Sequence, residues 1–161
     1  METIIMNRRN IEERSKCAFS NKTAVISITD ADYTFVELLH QPSKRLKIAF
    51  NDGDGDVFLD ELGPAPTDEK RLSLEKKYQM LSDKQAAEIA TFYHRCVQDG
   101  INTLIVQCEY GQSRSAAVVA AIREFENNDG ITLFADDRYY PNKVVFRKVL
   151  RALLQGCVKA V

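Results

Sequence analysis

The chain has 161 residues, 45% hydrophobic and 28% charged, which suits one core better than two, so a single domain over residues 1–161 is expected. A formal net charge of -1 excludes a global basic field for nucleic acid, and no apolar run reaches the length of a membrane span. The cysteines, Cys17, Cys96, Cys108 and Cys157, show no Cys-x-x-Cys spacing, which argues against zinc or a disulfide framework and for a reduced, cytoplasmic protein.

In chain order, Met1 to Arg14 lacks the pattern of a secretory signal. Thr3-Ile4-Ile5-Met6 and Ala24-Val25-Ile26-Ser27-Ile28 are short, apolar and partly β-branched, and are predicted as strands, with a short helix in the polar stretch between them. Arg45 to Phe50 alternates charged and apolar residues, which predicts a third strand. Asn51 to Lys70, rich in acidic residues, glycine and proline, is predicted as a loop region. A helix is expected to open at Ser82 as N-cap, bury Ala86, Ile89, Ala90, Tyr93, Cys96 and Val97, and stop at Gly100. Thr103-Leu104-Ile105-Val106 then reads as a strand buried on both faces. From Ser115 a helical face runs through Val118, Ile122 and Phe125. A last helix follows Pro141, with Val145, Val149, Leu150, Leu153 and Leu154 facing inward. Strands alternating with helices predict an α/β fold, a mostly parallel central sheet flanked by helices in a three-layer sandwich.

The stretch Cys108-Glu109-Tyr110-Gly111-Gln112-Ser113-Arg114-Ser115 lies between the buried strand and the next helix. In open α/β sheets ligands bind beyond the carboxyl ends of the strands, where a loop turns into a helix. Inward-pointing N–H groups of Glu109, Tyr110, Gly111, Gln112, Ser113 and Arg114 would form a nest for an anion, reinforced by the helix N-terminus. Gly111 allows the curvature this needs. The field that would attract phosphate also stabilises a thiolate at Cys108. Arg114 supplies a planar fork suited to two phosphate oxygens, and Ser115 a hydroxyl within reach of the sulfur. A lone cysteine is most often a small buried hydrophobe, and a lone arginine a solvated charge; the spacing of these two is what promotes both.

Other candidates are less pointed. Asp52, Asp54, Asp56 and Asp60 share one turn-rich stretch, where most aspartates solvate a loop. Asp52, Asp54 and Glu61 also fall at positions 3, 5 and 12 of a calcium loop, but position 1 is Phe50, which cannot ligate, and a strand precedes it in place of a helix. His40 and His94 have no metal-ligand spacing, so neither metal nor cofactor is expected.

The Cys-x5-Arg stretch resembles the signature of the protein tyrosine phosphatase superfamily, and Ser113-Arg114-Ser115 resembles the ending common in its dual-specificity branch. Pro141-Asn142 is similar to the Pro-Asn that opens the matching helix there. Ile48-Ala49-Phe50-Asn51-Asp52 is similar to the strand that carries the general-acid aspartate, and it singles out Asp52 from its neighbours. The resemblance spans about residues 100–155. Gln107 stands where that family usually has histidine; glutamine can donate and accept but cannot become cationic.

The resemblance implies hydrolysis of phosphate monoesters without a metal. Cys108 would attack phosphorus, Arg114 and the loop amides would hold the oxygens, Ser115 would serve the sulfur, and Asp52 would protonate the leaving group. It implies a phosphorylated protein as partner, bearing phosphotyrosine and also phosphoserine or phosphothreonine. A non-protein phosphate (phosphoinositide, nucleotide or RNA 5′ end) and a catalytically weak phosphate-binding module remain open alternatives.

Overall fold

Short runs of β-branched and aliphatic residues make up the sheet. In the structure, a computed structural model that describes residues 1–53 and 55–158, β1 spans Glu2–Met6, β2 Thr23–Thr29, β3 Lys44–Ala49 and β4 Thr103–Gln107. Their order is β1-β4-β2-β3, and every pairing is parallel. Strand β4 sits between β1 and β2, with Leu104 opposite both Thr3 and Ala24. The predicted α/β class is therefore observed, with the mostly parallel sheet wholly parallel among the described residues.

Helices cover both faces. They are α1 (Arg8–Arg14), α2 (Gly55–Leu62), α3 (Asp68–Lys77), α4 (Asp83–Gln98), α5 (Arg114–Asn127), α6 (Ile131–Phe134) and α7 (Lys143–Val158). Strand alternation sorts the side chains. Ala24, Ile26, Ile28, Leu104 and Val106 pack with α4, α5 and α7 on one face, and Val25 and Ile105 pack with Ile11 of α1, Val36 and Leu38 on the other. Each fully buried aliphatic contributes about 1.5–3 kcal/mol by leaving water, so this double coverage explains why all seven residues of β2 are buried.

Helix α4 starts as its sequence predicts. The Ser82 side chain accepts from the Gln85 N–H and the Gln85 side chain accepts from the Ser82 N–H, a reciprocal cap. Gly100 ends the turn at φ +68, a backbone angle that favours glycine. Ala86, Ile89, Ala90, Tyr93 and Cys96 are buried as expected, while Val97 turns out to solvent. On α7, Val145, Val149 and Leu153 face the core, but Leu154 is exposed. Helix α5 is buried all round from Arg114 to Ile122, beyond the single face predicted. Its alanines at 116, 117, 120 and 121 let the sheet and α7 approach closely.

The predicted loop over Asn51 to Lys70 is corrected by the structure, since it contains α2 and the start of α3. The apolar side of this pair is narrow: Phe58, Leu74 and Met80 form a satellite cluster of their own. Thr67 caps α3 through the Lys70 N–H, with Asp68 and Glu69 in the first turn and Lys76 and Lys77 in the last, so charges complement the helix dipole. No helix among the described residues is long and apolar enough to cross a membrane.

Candidate active site

Strand β4 delivers Cys108 to the carboxyl edge of the sheet, and α5 begins six residues later at Arg114. The intervening loop is tied down from outside. The Glu109 carbonyl accepts from the Arg8 N–H at 3.1 Å and the Gln112 carbonyl accepts from the Tyr140 N–H at 2.9 Å. With carbonyls turned outward, amides can turn inward, and the Gly111 N–H points at Cys108 Sγ from 3.3 Å. Gly111 has φ +71, and a Cβ there would meet Asn7 N at 2.8 Å. Both the backbone angle and the backbone of β1's end thus demand glycine.

Cys108 itself is buried, and Ser115 Oγ lies 3.1 Å from its sulfur. Two polar groups therefore converge on Sγ, an arrangement suited to a thiolate and wasted on an inert core cysteine. Cys96 is the contrast: it is a core thiol whose pKa burial pushes up to about 11. Cys17 is exposed. Asp54 lies outside the described residues, as do the side chains of Asp56 and Cys157.

Arg114 is buried, with 3% exposure. Its Nη1 donates to the Phe50 carbonyl at 2.7 Å and lies 2.6 Å from Asp30 Oδ1. Its Nε has no hydrogen-bond partner although it is buried. A buried guanidinium N–H left unpaired costs on the order of 1–3 kcal/mol unless something polar is meant to meet it.

Asp52 stands at the same edge, two residues beyond Phe50. Its Oδ1 accepts from Ser113 Oγ at 2.8 Å and from Asn142 Nδ2 at 2.9 Å. Asn142 also donates to the Gly53 carbonyl, and its own Oδ1 accepts from the Val144 and Val145 N–H groups, capping α7. One amide thus fixes the first turn of α7 and the Asp52 loop together. Asp60 is exposed on α2.

The chain is similar to Tk-PTP and to PTPMT1. It shares 17% identity with the crystal structure of Tk-PTP in the active form, covering 95% of this chain and 90% of that one at a TM-score of 0.49. It shares 13% identity with PTPMT1, covering 99% and 94% at a TM-score of 0.46. No family model matches the chain, and no curated protein does. The chemistry is accordingly read from the side chains.

The structure brings together Cys108 and Gly111 of the loop with Arg114 and Ser115 of the first turn of α5, and Ser113 with Asp52. Glu109 and Gln112 contribute outward carbonyls, and the Tyr110 side chain is exposed. Gln107 is buried on the opposite side of the strand from Cys108, and its Oε1 makes no hydrogen bond. Sequence reasoning missed Asp30. It follows β2 directly, next to β4 at the sheet's carboxyl edge, and that position was the available signal.

Proposed function

We propose that the chain is a cysteine-dependent phosphatase of the protein tyrosine phosphatase superfamily, acting on phosphotyrosine in proteins. The observation that supports it most is Arg114, a buried guanidinium with an unpaired Nε, closing a loop whose Gly111 amide already meets Cys108 Sγ. Such a fork binds a tetrahedral oxyanion through two parallel N–H bonds.

The steps follow from the residues. The Cys108 thiolate attacks phosphorus in line, forming an S–P bond as the P–O bond to the leaving group breaks. Arg114 and the loop amides bear the charge on the equatorial oxygens. Asp52 passes its proton to the leaving oxygen. As a carboxylate it then takes a proton from water, whose oxygen attacks phosphorus, breaks the S–P bond and releases phosphate. Ser115 stabilises the thiolate each time it leaves. No cofactor enters.

The rim supports an aryl phosphate over a polyanionic headgroup. Tyr110 and Tyr140, at 77% and 71% exposure, stand on the loop and on the segment bonded to it, and exposed aromatics suit a flat ring. Residues 109 to 113 carry one acidic group and no cation. Nearby Arg8 is already paired with Glu12 and Glu109.

The test is turnover of p-nitrophenyl phosphate, then of phosphotyrosyl, phosphothreonyl and phosphoinositide substrates. Turnover should survive a chelator, be inhibited competitively by vanadate, and be fastest on the phosphotyrosyl peptide. No turnover on any substrate overturns the enzyme reading. Preference for the phosphoinositide overturns the substrate class and leaves the mechanism.

A further inference from the structure

We propose that Asp30 is a positioning residue for Arg114, resting on the phosphate-gripping role proposed above for that arginine. Asp30 Oδ1 lies 2.6 Å from Arg114 Nη1, on the same nitrogen that donates to the Phe50 carbonyl at 2.7 Å. A guanidinium offers two different edges. Nη1 lies on the side of Cδ, away from the Nε–H, so anchors on Nη1 leave the Nε–Nη2 edge whole. That edge carries two parallel N–H vectors, the geometry that matches two oxygens of a phosphate. The unpaired, buried Nε belongs to it. Asp30 therefore holds the fork from behind without occupying its prongs.

The backbone around Asp30 is built to keep it there. The Phe50 N–H donates to the Thr29 carbonyl at 3.0 Å, and the Ala31 N–H donates to Asn51 Oδ1 at 2.9 Å. Bonds on both sides of Asp30 thus pin its loop to the segment that carries the Phe50 carbonyl and Asp52. Both Nη1 anchors are thereby tied to the segment that carries Asp52. A buried guanidinium held only by a neutral carbonyl would keep most of its charge uncompensated. Asp30 supplies that compensation, and its side chain is 46% exposed, so it does so from the surface side. The neighbouring Asp52 has a different environment: among the described residues, the neutral donors Ser113 and Asn142 meet it. The two carboxylates divide the work: Asp52 handles the proton and Asp30 aims the arginine.

The experiment compares wild type, Asp30→Ala and Asp30→Asn, with thermal unfolding as a check on the fold. The readouts are kcat and KM on p-nitrophenyl phosphate and the Kd of inorganic phosphate by titration calorimetry. Asp30→Ala should lower kcat about 10-fold and weaken phosphate by roughly 3–10-fold, the loss of the ion pair that holds the fork in both states. Asp30→Asn keeps the reach but loses the charge that compensates Arg114, so it should lie close to Asp30→Ala in kcat and in phosphate Kd. Wild-type kcat and Kd in Asp30→Ala overturn the proposal. Tighter phosphate in Asp30→Ala also overturns it, because Asp30 would then compete with the ligand. An Asn variant with wild-type kcat and Kd overturns the charge-compensating role. A wild-type chain that binds phosphate but turns over no ester overturns the phosphatase reading instead, and the phosphate affinities still decide the role of Asp30.

Discussion

Two buried cations, Arg114 and Lys148, sit in opposite electrostatic bargains. Lys148, on α7, is 8% exposed and lies 2.7 Å from Glu75 and 3.0 Å from Asp83, close ion pairs that lack good hydrogen-bond angles. Arg71 adds a second cation, 3.1 Å from Glu75 and 3.6 Å from Asp83. The two cations are matched by Glu75 and Asp83, with exposed Asp68 3.6 Å from Arg71 at the rim, and the cluster joins α3, α4 and α7. Among the described residues Arg114 has one carboxylate, one carbonyl and a buried nitrogen with nothing on it. A balanced cluster holds helices in place; an incompletely paired one is poised for a ligand. The comparison separates structural from functional burial of charge, since burial alone would rank the two residues together.

The largest expected effect lies at the unbalanced cluster. Cys108→Ser should lower turnover by on the order of 10⁴-fold or more, as loss of a covalent nucleophile does, while phosphate still binds through Arg114. Arg114→Lys should lose about 10²–10³-fold, because a point charge cannot form two parallel bonds. Steady-state kinetics on p-nitrophenyl phosphate reads both. Wild-type rates in Cys108→Ser would remove the covalent mechanism.

Asp52→Asn comes next. It should cost ~10²–10⁴ in kcat on alkyl phosphates and less on aryl phosphates, whose leaving groups need little protonation. The basic limb of the pH–rate profile should flatten with it. Asn142→Ala, which removes a donor from Asp52 and a cap from α7, should slow turnover by about 10-fold. Asp60→Asn should do nothing to the rate. A flattened limb in Asp60→Asn with a normal one in Asp52→Asn would move the acid onto α2.

What could be read in advance follows the range of the forces involved. The four strands and α4, α5 and α7 carry enough periodic apolar residues to announce themselves, and the Cys108–Ser115 loop is contiguous, so its chemistry is written in one place. The loop predicted over Asn51 to Lys70 takes in α2 and the first residues of α3 because apolar residues are sparse there. Of α3, only Leu74 and Glu75 are buried, and one of those is an acid held by Arg71 and Lys148 from other turns and another helix. The Thr67 cap and the charge order of α3 were legible all the same and point to a helix. The role of Asp30 is harder to read for a different reason. Its partner is 84 residues away in sequence and adjacent only because β2 and β4 are neighbours in the sheet.

At the balanced cluster the expected effects are on stability. Lys148→Met removes an ammonium and leaves Glu75, 6% exposed, with Arg71 as its remaining cation. Breaking a buried pair from one side costs about 3–5 kcal/mol, and the surviving Arg71 contact should bring this toward ~3 kcal/mol. Urea unfolding at pH 7 measures it, with turnover per folded molecule unchanged. A stability loss under ~1 kcal/mol would mean that the cluster was not holding the helices.

The smallest effect is the pH dependence that Asp83 adds. Burial alone would raise the pKa of its carboxyl, but Lys148 and Arg71 outweigh it and hold it below the usual carboxylate value. A carboxyl with a lower pKa in the fold binds fewer protons folded than unfolded, so its stabilisation grows with pH across that window. The contribution is complete above the unfolded value of about 3.9 and is lost as the pH falls through the folded value. The side chain is 57% exposed, so solvent screening should keep the gain to ~0.5 kcal/mol. Asp83→Asn should therefore be slightly less stable than wild type in urea at pH 7, with the gap closing in acid once the carboxyl is protonated in the fold. A gap of the same size at both pH values would assign the loss to the changed first residue of α4, and not to the charge facing Lys148. An absent gap at pH 7 would leave Glu75 alone as the partner that balances Lys148. The contrast with Arg114 would then narrow, since each buried cation would answer to a single carboxylate.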